Sequence, residues 1–288
     1  MSQNAPQFDA EQYKRTTQQQ WNSAAEAWHR WSPLLSRWLG PATETMLDMA
    51  DIGAGSRVLD VAAGAGEQTL AVARRIGDSG RVVATDISPT ILEYAASAAK
   101  LSGYGNVHTR TIDGEQLDEL DADPFDAVIS RVGLIYFPDQ QKALTGMKQQ
   151  LRHEGKVAAM VYSTAEKNPF FSIPVSIIRR RAKLPAPLPG QPGPFSLGAE
   201  GSLEQAFAQT GFKNIAVETI DAPVRMTSAA ECLQFEQESF GALHQMLSGL
   251  SDGEQDEAWN EIEEALGQFE SNGQFEGPCE MLVAVGSK

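Results

Sequence analysis

A strand that runs into a small-residue loop and leaves it as a helix constrains this chain more than any other feature. Arg57-Val58-Leu59-Asp60-Val61-Ala62 is a short β-branched run, Ala63-Gly64-Ala65-Gly66 follows it, and residues 69–76 have helical texture. The unit then repeats. Residues 81–86 form a second strand, and Ser88 with Pro89 supplies the N-cap side chain and first-turn proline of a helix reaching about residue 102. Further strands are expected at 106–111, 125–130 and 156–162, and between the last two Ala143, Leu144, Met147 and Leu151 recur at helical spacing. Strands alternating with helices of about 10–15 residues build a parallel sheet covered on both faces. The expected class is α/β, with a doubly wound, mostly parallel sheet.

Outside this stretch the rhythm lapses. Residues 9–50 have helical texture and carry Trp21, Trp28, Trp31 and Trp38, with Pro33 and Pro41 as expected helix starts. Pro185, Pro187, Pro189, Pro192 and Pro194, with Gly190 and Gly193, make residues 165–200 too proline-rich for a helix or an inner strand. Helix and strand return at 203–209 and 215–220. Residues 228–271 are expected to be helical, with a Ser251/Glu254 capping box and an apolar stripe of Trp259, Ile262, Leu266 and Phe269. Residues 280–286 close the chain as a strand.

Composition narrows the partners. With 23 Lys+Arg against 38 Asp+Glu the chain carries a formal charge of −15, which disfavours a phosphate backbone as ligand. Two cysteines, Cys232 and Cys279, are too few for a disulfide framework and fit reduced thiols. Met1 to Gln7 show neither a basic nor an apolar leader region, and no apolar run approaches the roughly 18 residues of a membrane span. A soluble, cytoplasmic protein is expected, with a small-molecule substrate, no nucleic acid and no membrane span; a homodimer is compatible with these features.

The loop limits the ligand further. A glycine turn opening a helix lets a ligand approach the backbone, and Asp86, 20 residues beyond Gly66, stands where doubly wound sheets place an acid to accept ribose hydroxyls. A dinucleotide site wants a third glycine where Thr69 stands, and Asp60 beside the loop would repel a pyrophosphate. S-adenosylmethionine shares the adenosine, lacks the phosphates, and carries an ammonium and a sulfonium that a carboxylate favours.

At these residues the sequence resembles the class I S-adenosylmethionine-dependent methyltransferases, most of all the ubiquinone/menaquinone-biosynthesis branch of small-molecule enzymes. Asp60-Val61-Ala62-Ala63-Gly64-Ala65-Gly66 resembles the family's D-x-G-x-G-x-G, with Ala62 in place of the first glycine. Asp86-Ile87-Ser88 resembles the ribose motif, Asp113-Gly114-Glu115 the motif that holds the adenine amino group, and residues 125–131 the fourth-strand motif along the methionine. Leu151-Arg152-His153-Glu154-Gly155-Lys156 resembles the turn before strand five, with His153 and Glu154 replacing Pro-Gly. The resemblance covers about residues 52–164 and more weakly the closing strands. It implies a seven-stranded, Rossmann-like sheet with S-adenosylmethionine as cofactor and S-adenosylhomocysteine as product. Trp28, Asp60, Ala62, Gly64, Ala65, Gly66, Asp86, Ile87, Asp113, Gly114, Glu115 and Arg131 are the cofactor-binding residues it implies. Arg131 departs from many relatives; it either binds a carboxylate of cofactor or substrate or pairs with Asp60 or Glu67. The implied organisation is a helical lid over 1–50, a cofactor-binding core over 51–164 and a proline-rich substrate insertion over 165–202. The core continues over 203–226, a helical substrate cap spans 227–277, and 278–288 hold the closing strand.

Methyl transfer is an in-line displacement that asks mainly for positioning and exclusion of water, and no metal. His29, between Trp28 and Trp31, is the first candidate general base and Glu67 the second; their plain alternatives are a surface histidine and a helix N-terminal acid. An aromatic face from Trp28 is placed to favour the sulfonium, whereas Trp21 is assigned to packing. Phe170, Phe171, Phe195, Phe235 and Phe240 are candidates for an apolar acceptor pocket, and Arg179-Arg180-Arg181-Ala182-Lys183 for an anion contact or a solvated helix end. The expected activity is methylation of a small, partly apolar metabolite at oxygen or carbon. The competing readings are a non-catalytic cofactor-binding protein on the same fold and an NAD-dependent oxidoreductase.

Overall fold

The computed structural model of the chain describes residues 8–188 and 191–288. Met1 to Gln7, from which no leader is expected, and Pro189 and Gly190 of the proline-rich stretch lie outside the described residues. Two long helices come first, α1 (Ala10–Arg30) and α2 (Ser32–Met49). The alternating segment follows as β1 (Arg57–Val61), α3 (Glu67–Ile76), β2 (Arg81–Asp86), α4 (Pro89–Leu101), β3 (Val107–Thr111), β4 (Phe125–Arg131), α5 (Gln140–Gln150) and β5 (Leu151–Tyr162). Then come α6 (Pro169–Arg181), α7 (Ser202–Gln209), β6 (Lys213–Asp221), β7 (Val224–Met226), α8 (Ala229–Ser239), α9 (Gly241–Leu247) and α10 (Asp252–Leu266). Three strands finish the chain, β8 (Glu270–Ser271), β9 (Gln274–Gly277) and β10 (Glu280–Ser287).

Seven strands form the main sheet in the order β3-β2-β1-β4-β5-β10-β6, as the fold-class expectation requires. The first five run parallel, and β10 runs antiparallel to both β5 and β6. Val58, Leu59, Val128 and Ile129 are fully buried, because the central parallel strands are covered on both faces. Strand order reverses between β1 and β4, and ligands of such sheets bind beyond the strand ends at that point. The helices α1 and α2 lie over it, with α1 packed against α4, α8 and α9.

Three local expectations change. Residues 169–181 form a helix, because Pro169 sits in the first turn, where its missing N–H is no loss, and the proline density begins only at Pro185. Pro41 lies inside α2 rather than at a helix start; the preceding Gly40 has no Cβ for its ring to strike. The stretch to 271 is not helical throughout: β7, β9 and β8 make a small antiparallel sheet. Asn272 and Gly273, with φ of 53° and 72°, supply the two-residue turn that joins β8 to β9. The Ser251–Glu254 capping box is present at the start of α10.

Candidate active site

Beyond the ends of β1, β2 and β4, under α1 and α2, lies a cavity of about 1120 Å³ including its mouth.

The loop after β1 is held by Asp86 at the end of β2. One carboxylate oxygen accepts the Gly64 N–H (3.0 Å) and the other the Ser88 N–H (2.9 Å). Burial raises the Asp86 pKa to about 6 in spite of these bonds. Ala62, Gly64, Ala65, Asp86 and Ile87 all line the cavity. Ala62 has a φ of 59°, so the alanine standing where the resemblance expects glycine occupies a left-handed conformation. Gly66 does not line the cavity. Its φ is 90°, and a Cβ there would stand 2.8 Å from the Ala95 Cβ of α4, so this glycine serves close packing of the loop on α4.

Asp60 is fully buried behind the loop rather than facing the ligand, because the start of α3 covers it. Its carboxylate accepts the Thr69 hydroxyl (2.6 Å) and the Gln68 amide (3.3 Å), and it is Gln68 that lines the cavity. Burial raises its pKa to about 6, against the lowering effect of Thr69, Gln68 and Arg131. An acid whose pKa is higher folded than unfolded takes up a proton on folding, so its contribution to stability falls as pH rises from about 4 to about 6. Asp60→Asn, which cannot titrate, should therefore gain on the wild type by up to about 3 kcal/mol between pH 4 and 7. Urea denaturation across that range checks this; a pH-independent gap would mean an unshifted carboxyl.

At the end of the cavity away from the aromatic wall Asp113 and Gly114 line it, and a Cβ on Gly114 would stand 2.5 Å from the Phe137 ring. Glu115 does not line it: it accepts the Asp139 N–H (2.8 Å) and pairs with Lys14 of α1 (2.6 Å). Lys14 also meets Asp113 at 2.8 Å, clamping α1 over this end.

The other end is aromatic, walled by Trp21, Trp28, Trp38, Tyr136, Tyr162 and Phe240. Trp28 and Trp38 are fixed by indole N–H bonds to the carbonyls of Ser239 (2.9 Å) and Ala222 (2.8 Å). Trp21 meets both Trp28 and Tyr136 edge-on at 5.5 Å, so it belongs to this wall as well as to the packing. Arg131 is ion-paired with Glu67 and donates to the Thr43 hydroxyl (3.0 Å); of the alternatives for Arg131, the structure forms the pair with Glu67. Both side chains line the cavity.

His29 is not in the cavity. A step of one residue from Trp28 turns a side chain about 100° around a helix, and His29 stacks on Tyr94 at 5.0 Å. It faces an outer groove shared with Arg37, Glu44 and Arg74, which removes it as the base for chemistry inside. Lys14, Thr17, Tyr136 and Tyr162 line the cavity without having been singled out; no motif marks them, because the fold brings them together from distant segments.

A family model described as a methyltransferase domain matches residues 52–184. These residues are similar to a methyltransferase domain. The kinship with class I S-adenosylmethionine-dependent methyltransferases of the ubiquinone/menaquinone type is thereby borne out. The chain is similar to the ubiquinone/menaquinone biosynthesis C-methyltransferase UbiE of Idiomarina loihiensis, 33% identical over 41% of this chain and 47% of that one. It is also similar to the aklanonic acid methyltransferase DauC of a Streptomyces species, 28% identical over 51% of this chain and 64% of that one. The match with UbiE-type relatives spans about half their length. Among solved structures, YcgJ of Bacillus subtilis superposes with a TM-score of 0.55 at 19% identity, covering 86% of this chain and 98% of that one, a likeness of fold. The matched segment contributes Ala62 to Ala65, Asp86, Asp113 and Arg131 to the cavity, whereas α1 and α2 before it and Phe240 after it complete the aromatic wall.

Proposed function

We propose that the chain is an S-adenosylmethionine-dependent methyltransferase acting on oxygen or carbon of a small, partly apolar metabolite in the cytoplasm. The observation that carries this reading is one cavity holding two unlike halves: a polar end built on Asp86 and Asp113 and an aromatic end walled by three tryptophans. Asp86 takes the ribose hydroxyls, Asp113 and Gly114 the adenine edge, and Ala62, Gly64, Ala65 and Gln68 the methionine side. No phosphate is welcome among Asp86, Asp113 and Glu67, which disfavours NAD. When bound, S-adenosylmethionine supplies a methyl group on a positively charged sulfur. The chain's part is to hold the acceptor atom about 3 Å from that methyl on its axis and to keep water out with the aromatic wall. Trp28 lines the cavity with an indole ring, a group whose face favours a cation. Glu67 is the acid placed to receive an acceptor proton. Acceptor choice is assigned to α1 and α2 with residues 165–202 and 227–277. The net charge of −15 and the buried free thiols Cys232 and Cys279 support a small-molecule role in a reducing compartment. No helix among the described residues is long and apolar enough to cross a membrane.

Two measurements test the proposal. Calorimetry should show binding of S-adenosylmethionine and S-adenosylhomocysteine and none of NAD; the reverse order overturns it. Incubation of the protein with methyl-labelled cofactor and a metabolite extract, followed by mass spectrometry, should yield a labelled small molecule, and cofactor binding without any product would favour a non-catalytic role.

A further inference from the structure

The inner face of α8 carries polar groups that the fold does not satisfy. Glu236 is 0% exposed and neither of its carboxyl oxygens has a hydrogen-bond partner. The Ser239 hydroxyl, one turn further along the same face, is equally buried and equally unpartnered. Cys232, one turn before Glu236, completes a buried stripe. Leaving such groups unmade in an interior costs stability, so a site serving packing alone would carry leucine or alanine here. Burial pushes the Glu236 pKa well above the usual carboxylate range, which keeps the group neutral.

The location of the stripe suggests its use. Tyr162, a wall residue of the cavity, lies within electrostatic reach of Glu236. Trp28, another, donates its indole N–H to the Ser239 carbonyl, and Phe240, a third, is the next residue in the chain. Glu236 and Ser239 therefore lie on the helix whose C-terminal end backs the aromatic end of the cavity, without themselves lining it. We propose that the Glu236 carboxyl and the Ser239 hydroxyl form the polar subsite of the methyl acceptor, hydrogen-bonding a ring hydroxyl or carbonyl oxygen while the ring itself fills the aromatic chamber. The carboxyl O–H donates to that oxygen, the Ser239 hydroxyl donates or accepts beside it, and small shifts of the Tyr162 and Phe240 rings open the way. The inference rests on the aromatic end being the acceptor half of a methyltransferase cavity.

The test uses protein saturated with S-adenosylhomocysteine and a matched pair of probes, phenol and toluene, titrated by calorimetry. The wild type should bind phenol about tenfold more tightly than toluene, the worth of one well-made hydrogen bond. Glu236→Leu should lose that preference, bind S-adenosylhomocysteine as before and unfold at a higher temperature, because an unmade polar group is gone. Glu236→Gln, which keeps a donor and an acceptor, should retain part of the preference and confirm the reading where the leucine variant does not fold. A wild type without preference for phenol, or a folded Glu236→Leu protein that keeps it, overturns the subsite. Loss of S-adenosylhomocysteine binding by the wild type would instead strike the cofactor reading.

Discussion

Asp86→Ala is expected to weaken binding of S-adenosylhomocysteine by about 10- to 100-fold, measured by calorimetry. Each carboxylate oxygen already accepts one backbone N–H, from Gly64 and from Ser88. The lone pairs left over belong to a side chain that lines the cavity, where two adjacent ribose hydroxyls can donate to them. Hydrogen bonds to a charged group are worth about 1.5–3 kcal/mol, so the net loss of one gives the stated range. The variant also releases the Gly64 N–H, which loosens the loop that must stay close to the ligand. Asp86→Asn should fare little better, since its amide turns a donor toward one of the two backbone N–H groups. Asp113→Ala should cost less, because Lys14 already occupies part of that carboxylate. An unchanged affinity in Asp86→Ala would remove the residue from the ribose site.

What could be read from the chain follows from range. The five parallel strands and Asp86 were visible because each rests on local texture or on a short fixed spacing. Asn272-Gly273 is as local a signal, yet the Glu-rich helical texture before it masked the hairpin. His29 failed for a different reason. Tryptophans at 21 and 28 lie two turns apart and share a face, but the phase of that face relative to the sheet is set by α4, α8 and α9, which the helix itself does not encode. Glu236 was hidden more deeply: among Glu231, Gln234, Gln237 and Glu238 it looks like one more solvated acid, and only packing reveals it as buried. Tyr162 and Phe240 line one cavity from positions nearly 80 residues apart, a tertiary fact with no local trace.

Glu67 and Arg131 should behave as one unit in stability and as two in catalysis. Their side chains are 12% and 5% exposed, and the Arg131 guanidinium is held by Glu67 and the Thr43 hydroxyl. Removing either partner leaves the other charge buried alone, so Arg131→Met or Glu67→Leu should each cost about 3–5 kcal/mol in urea denaturation. The double variant should recover most of that loss, because apolar residues of similar volume replace a buried pair at little cost. Additive losses would mean that each side chain is anchored by groups other than its partner. Catalysis separates the two. If Glu67 receives the acceptor proton, Glu67→Gln should bind S-adenosylhomocysteine normally and lower kcat for methyl transfer by about 10²- to 10⁴-fold. A purely electrostatic role at the start of α3 would leave kcat within a few fold and appear only as a small loss of melting temperature. Arg131→Lys distinguishes further: both contacts leave one guanidinium nitrogen, Nη1, and the shorter lysine side chain keeps the charge near Glu67 but brings its ammonium short of that position between Glu67 and Thr43. It should therefore retain kcat while losing part of the pair's stability.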